Sequence, residues 1–210
     1  MKKSVAGLFA VVATVAFAGT AQAQICAGYP SSDRGFYFGA RADFPENVDS
    51  YGVEANYNFS GPLGVYGGLN VISNENDNSD EESNDELFAG VAFEVASLGL
   101  MVGPRVSVCP VGELRNIKQY NGDSYTAVPV GLGVGASLGI PGIRAAGYVQ
   151  PQIVFSRVEA GGQTGDFQND FAVKAGVMGG VGLLTVGGEL RHHFVDNAQT
   201  TFGIRVGIAL

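Results

Sequence analysis

An all-β chain closed into an antiparallel, up-and-down barrel of about ten strands, with eight as the alternative count, is predicted by three observations. Apolar residues recur at every second position from residue 35 to the C-terminus, the period of a strand and not of a helix. The connections alternate between short turns and long polar loops. One strand face is built from glycine and charge, and the other is nearly all apolar.

The composition narrows the field before any element is drawn. The 210 residues include 32 glycines, 8 prolines and no tryptophan, and 15% are charged. That is too apolar for a disordered chain, too sparsely charged for a coiled coil, and without the every-third glycine of collagen. Twelve Lys and Arg face twenty Asp and Glu, a net charge of -8, and no basic stripe is present to hold a phosphate backbone, so nucleic acid is not an expected partner.

Residues 1–23 read as a signal peptide. Lys2 and Lys3 form the positive start, Val5 to Ala18 a short apolar run, and Ala21-Gln22-Ala23 a cleavage site of the A-x-A kind. The mature chain is expected to begin at Gln24, in an oxidising compartment. Residues 24–34 form an N-terminal segment and 35–210 the barrel.

Ten strand segments fall at about 35–43, 50–59, 63–73, 86–96, 98–108, 125–138, 143–157, 170–182, 184–194 and 201–210. In the second, Tyr51, Val53, Ala55, Tyr57 and Phe59 share a face, opposite Gly52, Glu54, Asn56 and Asn58. In the last, Phe202, Ile204, Val206, Ile208 and Leu210 oppose Gly203, Arg205, Gly207 and Ala209. Short turns are expected at 60–62, around Ser97, at 140–142 and at 183–184, and long loops at 44–49, 74–85, 109–124, 158–169 and 195–200. Short turns on one rim, long loops on the other and an even strand count are the plan of a bacterial outer-membrane barrel. A solvated strand face carries long polar residues, whereas the crowded inside of a narrow barrel favours small ones. The glycine face is therefore the lumen and the apolar face meets lipid.

On the signal peptide, the amphipathic strands and the closing run Phe202-Gly203-Ile204-Arg205-Val206-Gly207-Ile208-Ala209-Leu210, the chain resembles the small outer-membrane β-barrel proteins of Gram-negative bacteria, in the broad porin-like grouping. The closing run is similar to the C-terminal signal read by the barrel-assembly machinery, although Leu210 stands where that family usually ends in an aromatic residue. The resemblance implies an integral outer-membrane protein with termini in the periplasm, long loops outside, and lipid and lipopolysaccharide as surroundings. It implies no cofactor and no particular activity.

The expected lumen holds charges of both signs: Arg41, Glu54, Glu94, Arg105, Arg144, Lys174, Glu189, Arg191 and Arg205, with Tyr37, Tyr66, Tyr148, Gln150 and Gln152 between them. Charges in so narrow a space must pair or be hydrated. They form either a selective constriction or a salt-bridge network that fills the barrel.

The two cysteines, Cys26 and Cys109, suggest one disulfide after export. The strand phase turns Cys109 inward at the outer rim. Cys26 lies nine residues before the first strand, a reach of about 30 Å, so residues 24–34 are a candidate plug threading the lumen; reduced or differently paired thiols are the alternative.

Loop 74–86 carries seven carboxylates, Glu75, Asp77, Asp80, Glu81, Glu82, Asp85 and Glu86. Their spacing matches no EF-hand, so a solvated outer loop is expected, with weak divalent-cation bridging to lipopolysaccharide as the alternative. His192 and His193 face opposite ways on a strand and cannot share one ligand set. His193 has Asp196 nearby, but no serine or paired-aspartate motif accompanies it, so the chain is expected not to be an enzyme. Three functions remain: a structural or passive small-solute and ion pore barrel, which the short loops favour, a surface adhesin or receptor, and an outer-membrane hydrolase or acyltransferase.

Overall fold

A computed structural model describes residues 23–29, 35–45, 48–59, 62–74, 83–99, 104–140, 143–194 and 199–210. The stretch read as a signal peptide, apart from Ala23, and most of the acidic loop lie outside them. A single helical turn, α1 (Ala23–Cys26), precedes twelve strands: β1 (Phe36–Phe44), β2 (Val48–Asn58), β3 (Leu63–Asn74), β4 (Ser83–Phe93), β5 (Ala96–Gly99), β6 (Pro104–Lys118), β7 (Ser124–Ile140), β8 (Ile143–Ala160), β9 (Gln163–Thr164), β10 (Gln168–Val181), β11 (Leu184–His193) and β12 (Thr200–Ala209).

Every neighbouring pair is antiparallel. The sheet closes because β12 pairs with β1 from Tyr37 opposite Ala209 to Phe44 opposite Phe202. Ten long strands make the wall. The two short ones prolong members of it: Ala92 faces Val111 of β6, while Ala96 faces Val108, so β5 continues β4 across one extra residue, a bulge at Glu94–Val95. β9 stands in the same relation to β10, against β8.

That bulge corrects the sequence reading in one place. The fourth strand runs on through Gly99 with no turn at Ser97, and the fifth strand is 104–118 and not 98–108. The long loop expected at 109–124 shrinks to residues 119–123. Bulged strands bend and hide their register from simple alternation.

The faces divide as the pattern predicts. Phe202, Ile204, Val206 and Ile208 of β12 project outward and are exposed, as are Tyr51, Val53 and Tyr57 along β2 and Phe59 just beyond it. Aromatic side chains flank this apolar band at both ends. Phe44 lies between Tyr51 and Phe202, at 6.3 and 6.5 Å, and Phe171 meets Phe194 at 5.5 Å, all at the long-loop end; Tyr57 and Phe59 pair at 4.9 Å at the short-turn end. Such a surface is untenable in water and is the exterior of a membrane barrel.

Candidate functional site: the lumen and its N-terminal segment

The lumen is lined in three charged layers. At the short-turn end Arg105 donates to Glu94 at 2.9 Å and to the Ser97 hydroxyl, while Ser107 donates to the same carboxylate. At mid-height two carboxylates collect the cations. Glu54 lies 3.6 Å from both Arg41 and Arg205, and Glu189 lies 2.5 Å from Arg205 and 3.4 Å from Lys174 and Arg191. Arg41 also donates to Asp43 at 2.5 Å. Towards the long-loop end Arg115 bridges Glu113 and Glu86, and Asn70 donates to Glu86 at 2.5 Å. Phe88 separates the upper two layers, with the Arg41 and Arg115 guanidiniums 5.2 and 5.4 Å from its ring. Removing one member of such a buried set leaves its partner uncompensated, at about 3–5 kcal/mol.

The expected lumen charges Arg41, Glu54, Glu94, Arg105, Lys174, Glu189, Arg191 and Arg205 all face inward and join these layers. Arg144 shares the inward phase of Tyr148 and Gln150 on β8, at the short-turn rim, where it donates to the Gly182 carbonyl. Four members were missed. Asp43 sits two residues from Arg41 on the same face, and Glu86, Glu113 and Arg115 stood in stretches read as loop. Their signal was the alternation with outward Leu87 and Leu114, both more than half exposed.

Of the acidic loop, Glu86 is a correction, because it is buried in the lumen and held by Arg115. Asp85 lies on the outer face of β4, opposite Lys118. Glu75, Asp77, Asp80, Glu81 and Glu82 lie outside the described residues.

Cys26 and Cys109 form a disulfide, with Cα atoms 5.9 Å apart. Its position is not the expected one. Cys109 is six residues into β6 from the short-turn end, opposite Gly133 of β7, so the bond lies in the near half of the lumen and not at the outer rim. The segment therefore folds into the barrel mouth without threading the membrane. Ile25, Cys26, Ala27 and Tyr29 are all at most 1% exposed.

The inward glycines of β7 explain how a backbone fits there. A methyl group on Gly133 would stand 2.6 Å from the Cys26 carbonyl oxygen, and one on Gly135 would stand 2.5 Å from the Ile25 side chain. Gly28, at φ 85°, turns the segment back against the Tyr148 ring, which itself covers Gly176 across the β8–β10 pairing. Tyr29 then packs between Tyr37 and Tyr66, with centroids at 5.6 and 5.2 Å. Polar contacts lock this arrangement. The Tyr29 and Tyr37 hydroxyls donate to Glu54 at 3.4 and 3.3 Å, Tyr148 donates to Glu189, and Arg205 donates to the Gly28 carbonyl at 2.8 Å.

His192 and His193 stay apart. The His192 ring pairs with the Thr200 hydroxyl at 2.8 Å and packs edge-on against Phe194, whereas His193 takes the opposite face; Asp196 is outside the described residues.

The closed wall and the lipid-facing apolar band with aromatic side chains at its edges define the class: the chain is an outer-membrane β-barrel protein. No family model matches it, and no curated protein matches it. Among solved structures it is similar to a loop-deletion form of OmpT of Vibrio cholerae, at 14% identity over 87% of this chain and 61% of that one, with a TM-score of 0.37. It is similar also to Omp33 of Acinetobacter baumannii, at 9% identity over 84% and 98% of the two chains with a TM-score of 0.33. Ail of Yersinia pestis stands at 11%, 83% and 96%, with a TM-score of 0.28. This chain thus spans about three fifths of the OmpT chain. With OmpT among the similar barrels, the expectation that the chain is not an enzyme is withdrawn as a correction; a likeness at this identity assigns no reaction and no catalytic residue.

Proposed function

We propose that the chain is a structural barrel of the outer membrane whose lumen is held shut by its own N-terminal segment, so that it carries no steady flow of small solutes or ions. The observation that supports this reading is the contact of Arg205 with the Gly28 carbonyl, made by the same guanidinium that binds Glu54 and Glu189. One side chain ties the plug, the last strand and two further strands together. The disulfide adds a covalent tether to a fourth. The plug fills the short-turn mouth, where a permeant would have to displace three tyrosine rings of the wall as well as the segment itself. In this reading the short-turn end and both chain termini lie in the periplasm, the long loops lie outside among lipopolysaccharide, and the C-terminal strand engages the barrel-assembly machinery.

Planar-bilayer recording tests it. The refolded full chain is expected to insert without stepwise openings, and the variant Cys26→Ser combined with Arg205→Ser is expected to open measurable channels. Stable ohmic openings from the unaltered protein would overturn the closed reading and make the passive pore the function.

A further inference from the structure

Like charges meet twice across the ladders that line the lumen. Arg41 of β1 stands directly opposite Arg205 of β12, and Lys174 of β10 directly opposite Arg191 of β11. Like charges so placed destabilise a sheet unless something neutralises them. The first pair is well supplied: both guanidiniums reach Glu54 at 3.6 Å, Arg41 also holds Asp43, and Arg205 also holds Glu189 and the Gly28 carbonyl. The second pair is not. Among the described residues its one carboxylate is Glu189, 3.4 Å from each, and that carboxylate is already taken by Arg205 at 2.5 Å and by the Tyr148 hydroxyl. The Arg191 Nε is buried with no hydrogen-bond partner among the described residues. Arg191 also feels the charge of Arg115, on β6, more strongly than that of Glu189 beside it.

The pair can be reached from the long-loop mouth. Lys174 lies over the Tyr148 ring, 5.9 Å from its centroid, and that ring packs against Gly28, so ring and plug form a floor. Towards the long loops no backbone of the described residues crosses the lumen, and the Arg191 side chain keeps 14% exposure, against 3% for Arg205. The ladder sets a neutral polar group at each end of the pair: Gln150 faces Lys174, and Thr201 faces Arg191. An ammonium, a guanidinium and a hydroxyl thus offer donors from different directions. A planar carboxylate suits a single guanidinium edge, whereas a tetrahedral oxyanion presents oxygens to several donors at once, and a phosphate brings close to two negative charges for the two cations. Glu113, on β6, is already held by Arg115.

We infer that the lumen, on the long-loop side of the Tyr148 ring, binds one phosphate group, free or carried by a small monoester, on Lys174 and Arg191 with the Thr201 hydroxyl beside them. Both cations belong to the wall, so the site does not rest on the lumen being shut.

Calorimetric titration of the refolded full chain, in detergent at constant ionic strength, tests this with inorganic phosphate, glycerol 3-phosphate and succinate. One phosphate-bearing ligand per chain is the expected result. Tighter binding of the monoester would assign the group to an organic phosphate, and tighter binding of inorganic phosphate to the free ion. Lys174→Gln and Arg191→Gln should each weaken binding by about tenfold, the loss of one charge-assisted contact, and Arg191→Lys should retain most of it. In phosphate-free buffer both glutamine variants should resist urea at least as well as the unaltered chain, because each removes one of two opposed cations. Succinate bound as tightly as the phosphates, unchanged affinity in both glutamine variants, or a lower urea midpoint for both in phosphate-free buffer would overturn the proposal.

Discussion

The two halves of the lumen are built on different principles. The short-turn half is filled by chain: residues 25–29 and the rings of Tyr29, Tyr37, Tyr66 and Tyr148, set into a wall that glycine keeps thin. The long-loop half is lined by charged and polar side chains, Asp43, Asn70, Glu86, Glu113 and Arg115, with no backbone threaded among them by the described residues. Apolar burial and a covalent tether hold the first. Mutual charge compensation holds the second. The same glycine-and-charge face thus serves two purposes, and whether a glycine marks open space or a seat for another group depends on what lies across the barrel from it.

Breaking the joint between the halves should have the largest effect. Arg205→Met removes the guanidinium shared by Glu54, Glu189 and the Gly28 carbonyl. A loss of about 3–5 kcal/mol in the urea unfolding of the refolded barrel is expected, from the carboxylates left uncompensated. Cys26→Ser acts on the filled half alone. The bond closes a span of 83 residues, so the chain-entropy account gives a loss of about 4 kcal/mol, read in the same titration with and without reductant. A smaller loss under reducing conditions for the unaltered chain would mean that the packing, and not the tether, holds the plug.

The wall can be separated from its contents. Ile204→Asp places a charge against lipid and should cost about 2–4 kcal/mol, whereas Ala209→Ser, on the inner face of the same strand, should cost under about 1 kcal/mol. Equal losses would reverse the assignment of the faces. Gly135→Val sets a branched side chain where the Ile25 side chain lies, at an expected cost of about 1–3 kcal/mol for overpacking, together with new protease sensitivity near residue 25. The smallest effect belongs to the long-loop half. The Ser50 hydroxyl is buried without a hydrogen-bond partner among the described residues, so Ser50→Ala should leave the unfolding midpoint within about 0.5 kcal/mol.

The wall was largely legible in the sequence. Period-two alternation along segments such as 201–210 gave both strand and facing, because a strand buried against lipid on one side cannot slip by one residue without turning every apolar group inward. The fifth strand was misplaced because its neighbour gains a residue at Glu94–Val95, and a pattern read at constant phase cannot register a bulge. Glu86, Glu113 and Arg115 were lost for a related reason. Inside a narrow barrel, charged residues have the same composition as a solvated loop, and only the outward Leu87 and Leu114 between them betray the difference. The pairing of Cys26 with Cys109 was readable from export and parity. Its depth was not, since that depended on where the fifth strand begins.

The disulfide also has a bearing on the order of assembly. The covalent ring closed by Cys26 and Cys109 contains β1 to β5 and the first part of β6, and leaves β7 to β12 outside it. All the chain needed for that ring is therefore made, and can be oxidised, before any of the remaining strands has paired. The seam that closes the cylinder joins the last strand, β12, to the first, β1. A half-sheet that already carries its stopper would roll up around it, so the stopper would have no need to enter a finished cylinder through an opening that its own tyrosines obstruct.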